Sequence, residues 1–351
     1  MSIFTEIFAK NEHRRLKPSY MKNSTREHLI KTIRENIPDG VNLTNYLSDT
    51  LNIGRESAYR RVRGEINFTF DEVITLSQDL SFSIDNIVGL KRDENALFNI
   101  HMLQKLDYLG IYENMILQYG KVFKEMGDQS DTNARMSINT LPYFFHIQYK
   151  ALSRFRVYKW LHQNQKIDVH DKFADFTLPD KILRAHSAFY RNIQTIQTVT
   201  IVIDNNVFWS AAKDIEYFYK RGLLSYNDLT TLKKELHDIV DALEQMATDG
   251  ASKWGSKMYI YVSAVDLEAS YLHFENSTTQ FAQVRIFSIS AIDSYNEALC
   301  KIQKEWIESL KRYSVLISDS GEIQRFEYTG KQREYIDTIL KFEQPPETQS
   351  Q

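Results

Sequence analysis

Four arginines, Arg55, Arg60, Arg61 and Arg63, fall within nine residues, interleaved with Glu56, Ser57 and Tyr59. These groups can read nucleic acid. A guanidinium forms two parallel hydrogen bonds to guanine O6 and N7, or binds a phosphate. A glutamate accepts from cytosine N4, and Tyr and Ser reach phosphates or thymine methyls. The chemistry needs one face, and the spacing supplies it. Ala58 and Val62 are four residues apart and form the only strictly apolar stripe. Turning them inward at about 100° per residue sends Glu56, Arg60 and Arg63 outward, with Tyr59 and Ser57 flanking and Arg55 and Arg61 near the core edge. Residues 55–63 are therefore predicted to form a helix able to enter the major groove of DNA.

Such a helix must be held by neighbours, and the flanking sequence predicts them. Leu47 and Leu51 are one turn apart with the small Ser48 on the same side, giving a short amphipathic helix. Asn52-Ile53-Gly54 breaks it: Ile53 plugs the core from the turn and Gly54 begins the next helix. Ala58 is small enough for that helix to lie against Ser48, and Gly64 ends it. Phe68, Phe70, Val73, Ile74, Leu76 and Leu80 pattern a further helix over about residues 70–80. Ile84, Ile87 and Val88 pattern a last short one, capped by Ser83 or Asp85. Upstream, Ser24 or Thr25 is expected to cap a first helix running to Asn36 with Leu29, Ile30 and Ile33 inward, stopped by Pro38 and Gly40.

The run L-S-D-x-L-N-I-G-R-E-S-A-Y-R-R-V-R-G-E, followed by F-D-E-V-I-T-L-S-Q-D-L and S-I-D-N-I-V-G, resembles the lambda-repressor-like (XRE/Cro-type) helix-turn-helix domain over roughly residues 24–90. It is most similar to regulators carrying an S-x-Y-R-R-[LV]-R-G-E recognition helix. The resemblance implies that Thr44 and Asn45, at the start of the second helix, contact backbone phosphate. It also implies that Arg55, Glu56, Ser57, Tyr59 and Arg60 lie on the helix that reads bases. Thr44 stands where the family usually has Gln, and Arg61 where it commonly has an aliphatic residue, so Val62 is expected to take the core role.

The rest of the chain bounds these expectations. At 351 residues it has length for a second core, and 42% hydrophobic with 25% charged residues is ordinary for a globular protein. A net charge of −3 is compatible with DNA binding, because the electrostatic footprint is local at physiological salt. The single Cys300 excludes an intramolecular disulfide and fits a reducing compartment. There is no apolar run long enough to span a bilayer and no cleavage pattern in MSIFTEIFAK, so the expected location is cytoplasmic, with no membrane partner. Residues 1–20 read either as an extension without a role in the fold, with Met21 as the native start, or as a flexible arm in which Arg14, Arg15 and Lys17 touch DNA. The first is favoured.

Beyond the charged run 91–94, an α+β pattern is expected over residues 95–342, then a disordered tail at 343–351. A strand is expected in 97–104 and a short one at 136–138. Helices are expected over 108–127, 141–163, 179–196, 206–221 and 226–248. Residues 258–262, 269–275 and 281–288 read as successive antiparallel strands with a turn at Asn276-Ser277. Residues 291–313 read as a helix, 315–318 and 322–328 as strands, and 331–340 as a last helix. No P-loop, dinucleotide fingerprint, H-E-x-x-H or G-x-S-x-G occurs. The group Asp168-Val169-His170-Asp171 reads as surface hydrogen bonding, not metal binding. Tyr143, Phe144, Phe145, Tyr149, Phe155, Tyr158 and Trp160 crowd one segment, read first as core and second as the lining of a ligand pocket. Lys150, Arg154, Arg156 and Lys159 among them are able to meet an anion.

The fold class expected is thus an all-α helix-turn-helix N-terminal domain over 21–91, followed by a larger α+β, helix-rich domain with an antiparallel sheet. The function expected is a transcriptional regulator that binds double-stranded DNA as a homodimer. Its C-terminal domain would sense a small-molecule or protein effector or mediate self-association. No catalytic residue, metal or cofactor is expected. The competing readings are an enzyme of unrecognised type tethered by the N-terminal domain, and an adaptor whose N-terminal helices bind protein.

Overall fold

The computed structural model describes residues 18–38, 40–80, 82–84, 87, 96, 98–100, 107–127, 131–286 and 288–343. The chain divides into two compact units, Met1–Asn95 and Ala96–Gln351.

In the first unit, the described residues form helices α1 (Pro18–Asn36), α2 (Leu43–Thr50), α3 (Arg55–Val62) and α4 (Phe70–Leu80). Leu29, Ile33, Leu47, Ala58 and Leu76 meet in one small core with Phe82 and Ile87, and Leu51, Ile53, Val62, Val73 and Leu80 pack around it. Helix α1 begins upstream of Ser24 and Thr25, so neither caps it. Pro18 occupies its first position, where a missing N–H costs nothing. Phe70, expected on the apolar face of α4, is 71% exposed at the start of that helix. Of the segment 1–20 expected as an extension or arm, residues 18–20 are the first of α1 and residues 1–17 lie outside the described residues, as do Asp85, Val88, the run 91–94, the tail from 344 and most of the strand expected in 97–104.

The second unit continues with β1 (Asn99–Ile100), α5 (Tyr108–Gly127), β2 (Asn133–Ile138), α6 (Tyr143–His146), α7 (Lys150–Gln163), α8 (Asp180–Asn192), β3 (Thr198–Ile203), α9 (Val207–Lys220) and α10 (Tyr226–Asp249). Then come β4 (Lys257–Ser263), β5 (Tyr271–Glu275), β6 (Gln280–Ile286), β7 (Ser290–Ser294), α11 (Glu297–Leu310), β8 (Ser314–Leu316) and α12 (Glu322–Ile339). The strands form one eight-stranded sheet in the order β1-β7-β6-β5-β2-β3-β4-β8. Alternate residues divide between its faces. Ala134, Ile138, Val199, Ile201, Ile203 and Phe274 join the main core with the larger group of helices. Val202 and Tyr261 face the other way towards Leu310. There α11 is tied to the sheet by Arg135 to Glu308 (3.0 Å) and Lys304 to Glu275 (2.8 Å).

This overturns the expected fold class. The sheet is mixed, not antiparallel: β3 runs parallel to both β2 and β4, pairing Asn133 with Thr198 and Thr198 with Lys257. The class is therefore mixed helix and sheet with a parallel centre. The strand responsible, Thr-Val-Thr-Ile-Val-Ile, has almost no polar alternation because both its faces are covered, as is usual for a parallel strand. Residues 290–294 are a strand, not the start of a helix, and residues 322–328 are the first turns of α12, not a strand. In the latter, Ile323 and Phe326 are 69% and 73% exposed, so their spacing carries no core signal. The helix expected over 141–163 is interrupted at Tyr149, which is extended (φ −113°, ψ 119°). Glu235 accepts from the amides of Ala151 (3.0 Å) and Leu152 (2.7 Å), satisfying the start of α7 from another helix.

Candidate nucleic-acid interface

The α2–turn–α3 unit is built from local hydrogen bonds. Asn42 caps α2, its side chain accepting from the amides of Thr44 (3.0 Å) and Asn45 (3.3 Å). The turn is fixed by Asn52 at φ 51°, in the left-handed region that Asn tolerates. The Ile53 amide donates to the Ser48 carbonyl (3.1 Å), and the Ser48 hydroxyl returns a bond to the Ile53 carbonyl (2.6 Å). Fully buried Ala58 then allows α3 to sit close to its neighbours. At its other end Gly64 adopts φ 76°, and the amides of Glu65 and Gly64 donate to the carbonyls of Arg60 (2.8 Å) and Arg61 (3.0 Å). These are the two bonds of a Schellman stop. Arg26 of α1 donates to the Gly64 carbonyl (2.9 Å), tying that stop to the first helix.

The arginines divide into one that builds and three that project. Arg61 has a side chain only 11% exposed, and it grips Glu72 of α4 through two bonds, Nη2 to Oε1 (2.7 Å) and Nε to Oε2 (3.1 Å). Its Nη1 also donates to the Ser57 carbonyl (3.2 Å). Glu72 accepts in addition from the amide of Thr69 (2.8 Å), whose hydroxyl accepts from the Glu72 amide (3.3 Å), so one carboxylate closes the start of α4 and holds α3. Burial alone would raise the Glu72 pKa, but Arg61 and Thr69 outweigh it and hold the carboxyl below the usual range. Arg60 and Arg63, by contrast, are 48% and 60% exposed, and both reach Glu65 through Nε at 3.3 Å. Arg63 also lies 5.6 Å from the ring centre of Tyr59, itself 47% exposed.

Of the residues singled out from the sequence, Arg55, Glu56, Tyr59 and Arg60 lie exposed on α3 and Arg63 exposed at its C-cap, while Ser57 is half-buried. Asn45 is exposed and Thr44 half-buried on the first turn of α2. Because Asn42 already occupies both of their amides, a phosphate contact there falls to the side chains. Sequence reasoning missed Asn42, Glu65 and Glu72. Asn before an apolar-periodic run is a cap signal, and Thr69-x-x-Glu72 has capping-box spacing, so two of the three were visible in principle. Among the described residues there is no group of three or more His, Cys, Asp or Glu side chains placed to hold a metal ion. The Asp168–Asp171 turn bonds to itself, with the His170 amide donating to Asp168 (2.8 Å) and the Asp168 amide to Asp171 (3.0 Å). Among the described residues no helix is long and apolar enough to cross a membrane. No protein-family model, curated protein or solved structure matches the chain.

Proposed function

We propose that this chain is a sequence-specific DNA-binding transcriptional regulator that seats α3 in the major groove and acts as a homodimer in the cytoplasm. One observation carries the reading: Arg55, Tyr59 and Arg60 project from a single short helix, with Arg63 beside them at its C-cap, and that helix is stopped at Gly64 and braced from behind by the Arg61–Glu72 pair. A rigid helix of this length can offer side chains to base edges at little ordering cost, and arginine is the residue best suited to guanine and phosphate. Glu65 engages the two outermost guanidinium groups through Nε, which leaves their terminal nitrogens directed elsewhere. A single small module makes few base contacts, so two linked copies on a palindromic site gain affinity through effective concentration. The second unit then supplies the regulatory input or the contact between copies.

Selection of bound duplexes from a random pool by the full chain tests the reading. Recovery of a two-fold-symmetric sequence is expected, with half-sites about 10 base pairs apart or a multiple of that. In a gel shift on the selected duplex, Arg60→Ala should weaken binding by about 1–3 kcal/mol and relax the preference at one position in each half-site. A pool that returns no sequence preference would remove the claim of specificity.

A further inference from the structure

The second unit contains a partly open cavity of about 220 Å³ between the main face of the sheet and α5–α8. Its walls are largely apolar, with aliphatic side chains interleaved with rings such as Tyr112, Phe123, Tyr143, Phe189 and Trp254. Two guanidinium groups, Arg156 of α7 and Arg285 of β6, break that apolar lining. They also border an adjoining polar cleft that contains Asp214 and Glu268, so they stand where the apolar and polar spaces meet. Among the described residues neither has a carboxylate within ion-pairing distance. Arg285 donates to the hydroxyls of Thr140 and Ser270 (2.7 Å to the latter). Arg156 lies 5.8 Å from the Tyr143 ring centre and donates to the Ser288 carbonyl (3.5 Å), and among the described residues its Nε has no hydrogen-bond partner. Of the other cations of this segment, Arg154 pairs with Asp228 (3.6 Å) and Lys159 with Asp214, while Lys150 is exposed and does not line the cavity.

Two part-buried like charges without a counter-charge are costly, and a structure retains such a pair most readily where an anion completes it. Burial first, and then the neighbouring Arg156, push the Arg285 pKa down to about 9. Beside them, the Tyr112 hydroxyl bonds both the Tyr143 hydroxyl (3.2 Å) and His186 Nε2 (3.0 Å), which places three polar groups next to the guanidinium groups. Thr140 and Asn139 follow the carboxyl end of β2, next to its parallel neighbour β3, and the Asn139 amide donates to Ser270 (3.2 Å). The crevice beyond the carboxyl ends of parallel strands is where ligands most often bind in sheets of this kind.

We propose that this cavity binds a small amphipathic monocarboxylate, its carboxylate between Arg156 and Arg285 and its aliphatic or single-ring tail among the aromatic side chains. The volume is about seven times a water molecule's share of the liquid, which suits a short chain or one ring. The inference rests on the regulatory role given above to the second unit. Because binding is read without DNA, the two readings can fail separately.

The test titrates the full chain with octanoate and 4-phenylbutyrate, and with the neutral octanamide, following tryptophan emission. Trp254 lines the cavity and is the expected reporter, so Trp254→Phe should abolish the change. Octanoate should bind at least tenfold more tightly than octanamide. Arg285→Gln and Arg156→Gln should each bring octanoate to the level of octanamide, with octanamide itself changing less than threefold. Equal binding of octanoate and octanamide to the unmodified chain would overturn the proposal, as would no response to either carboxylate at millimolar concentration. Because that comparison needs no substitution, it decides the matter even if an arginine variant misfolds.

Discussion

Arg61 and Arg60 are adjacent and chemically identical, yet one is structural and the other projects. Which is which follows from Ala58 and Val62, whose apolar stripe sets the rotation of α3, and that much was legible. The partner of Arg61 was not, because Glu72 lies eleven residues on and its double duty shows only once α4 is docked. Glu72→Gln should leave a nearly buried guanidinium without its counter-charge and cost the first unit about 1–3 kcal/mol. Hydrogen exchange at the Ala58 amide in the full chain would read this as weakened protection. The pH dependence has a definite sign. The Glu72 carboxyl titrates below its ordinary value when folded, so its contribution is fully present above the unfolded carboxylate range and is lost as pH falls through the lower folded value. Protection in the unmodified protein should therefore decline on acidification below about 4.5, and Glu72→Gln should lack that component.

At the scale of elements, the α2–turn–α3 unit was readable because it has local punctuation: Asn52, Gly54 and Gly64 all fall at boundaries. Gly64 combines two demands, a left-handed backbone and a close approach in which an added Cβ would meet the Arg26 guanidinium at 2.8 Å. Gly64→Ala should cost about 1–2 kcal/mol; Gly64→Asn meets the same Arg26 contact but tolerates the left-handed backbone better, so a smaller loss for Asn than for Ala is expected if the backbone demand dominates and no smaller loss if the contact does. Thermal unfolding of the first unit, followed in the full chain, would rank the three. The sheet was less readable. The strand that makes it mixed, β3, carries a run of β-branched residues with little alternation, and its parallel partners are reached only through connections that contain whole helices. The antiparallel β5–β6 hairpin, by contrast, was visible in its alternation and in Asn276-Ser277. The cavity arginines show the same limit: Arg156 stood out among its aromatic neighbours, but nothing local joins it to Arg285.

The molecule as a whole consists of two compact units of different architecture, to which the proposed function assigns DNA reading and regulation. The net charge of −3 is no obstacle, since attraction to phosphate depends on the field near α3 and not on the whole-chain sum. The most direct test is the affinity of the full chain for its selected duplex, measured across salt concentrations, for the unmodified protein and for Arg60→Ala combined with Arg63→Ala. If α3 lies in the groove, the double variant should lose affinity by about 2–6 kcal/mol if the two losses add, and should bind selected and scrambled duplexes alike. The salt dependence should shrink by about one unit of slope for each phosphate that an arginine no longer neutralises. Unchanged affinity and slope in the double variant would contradict the account.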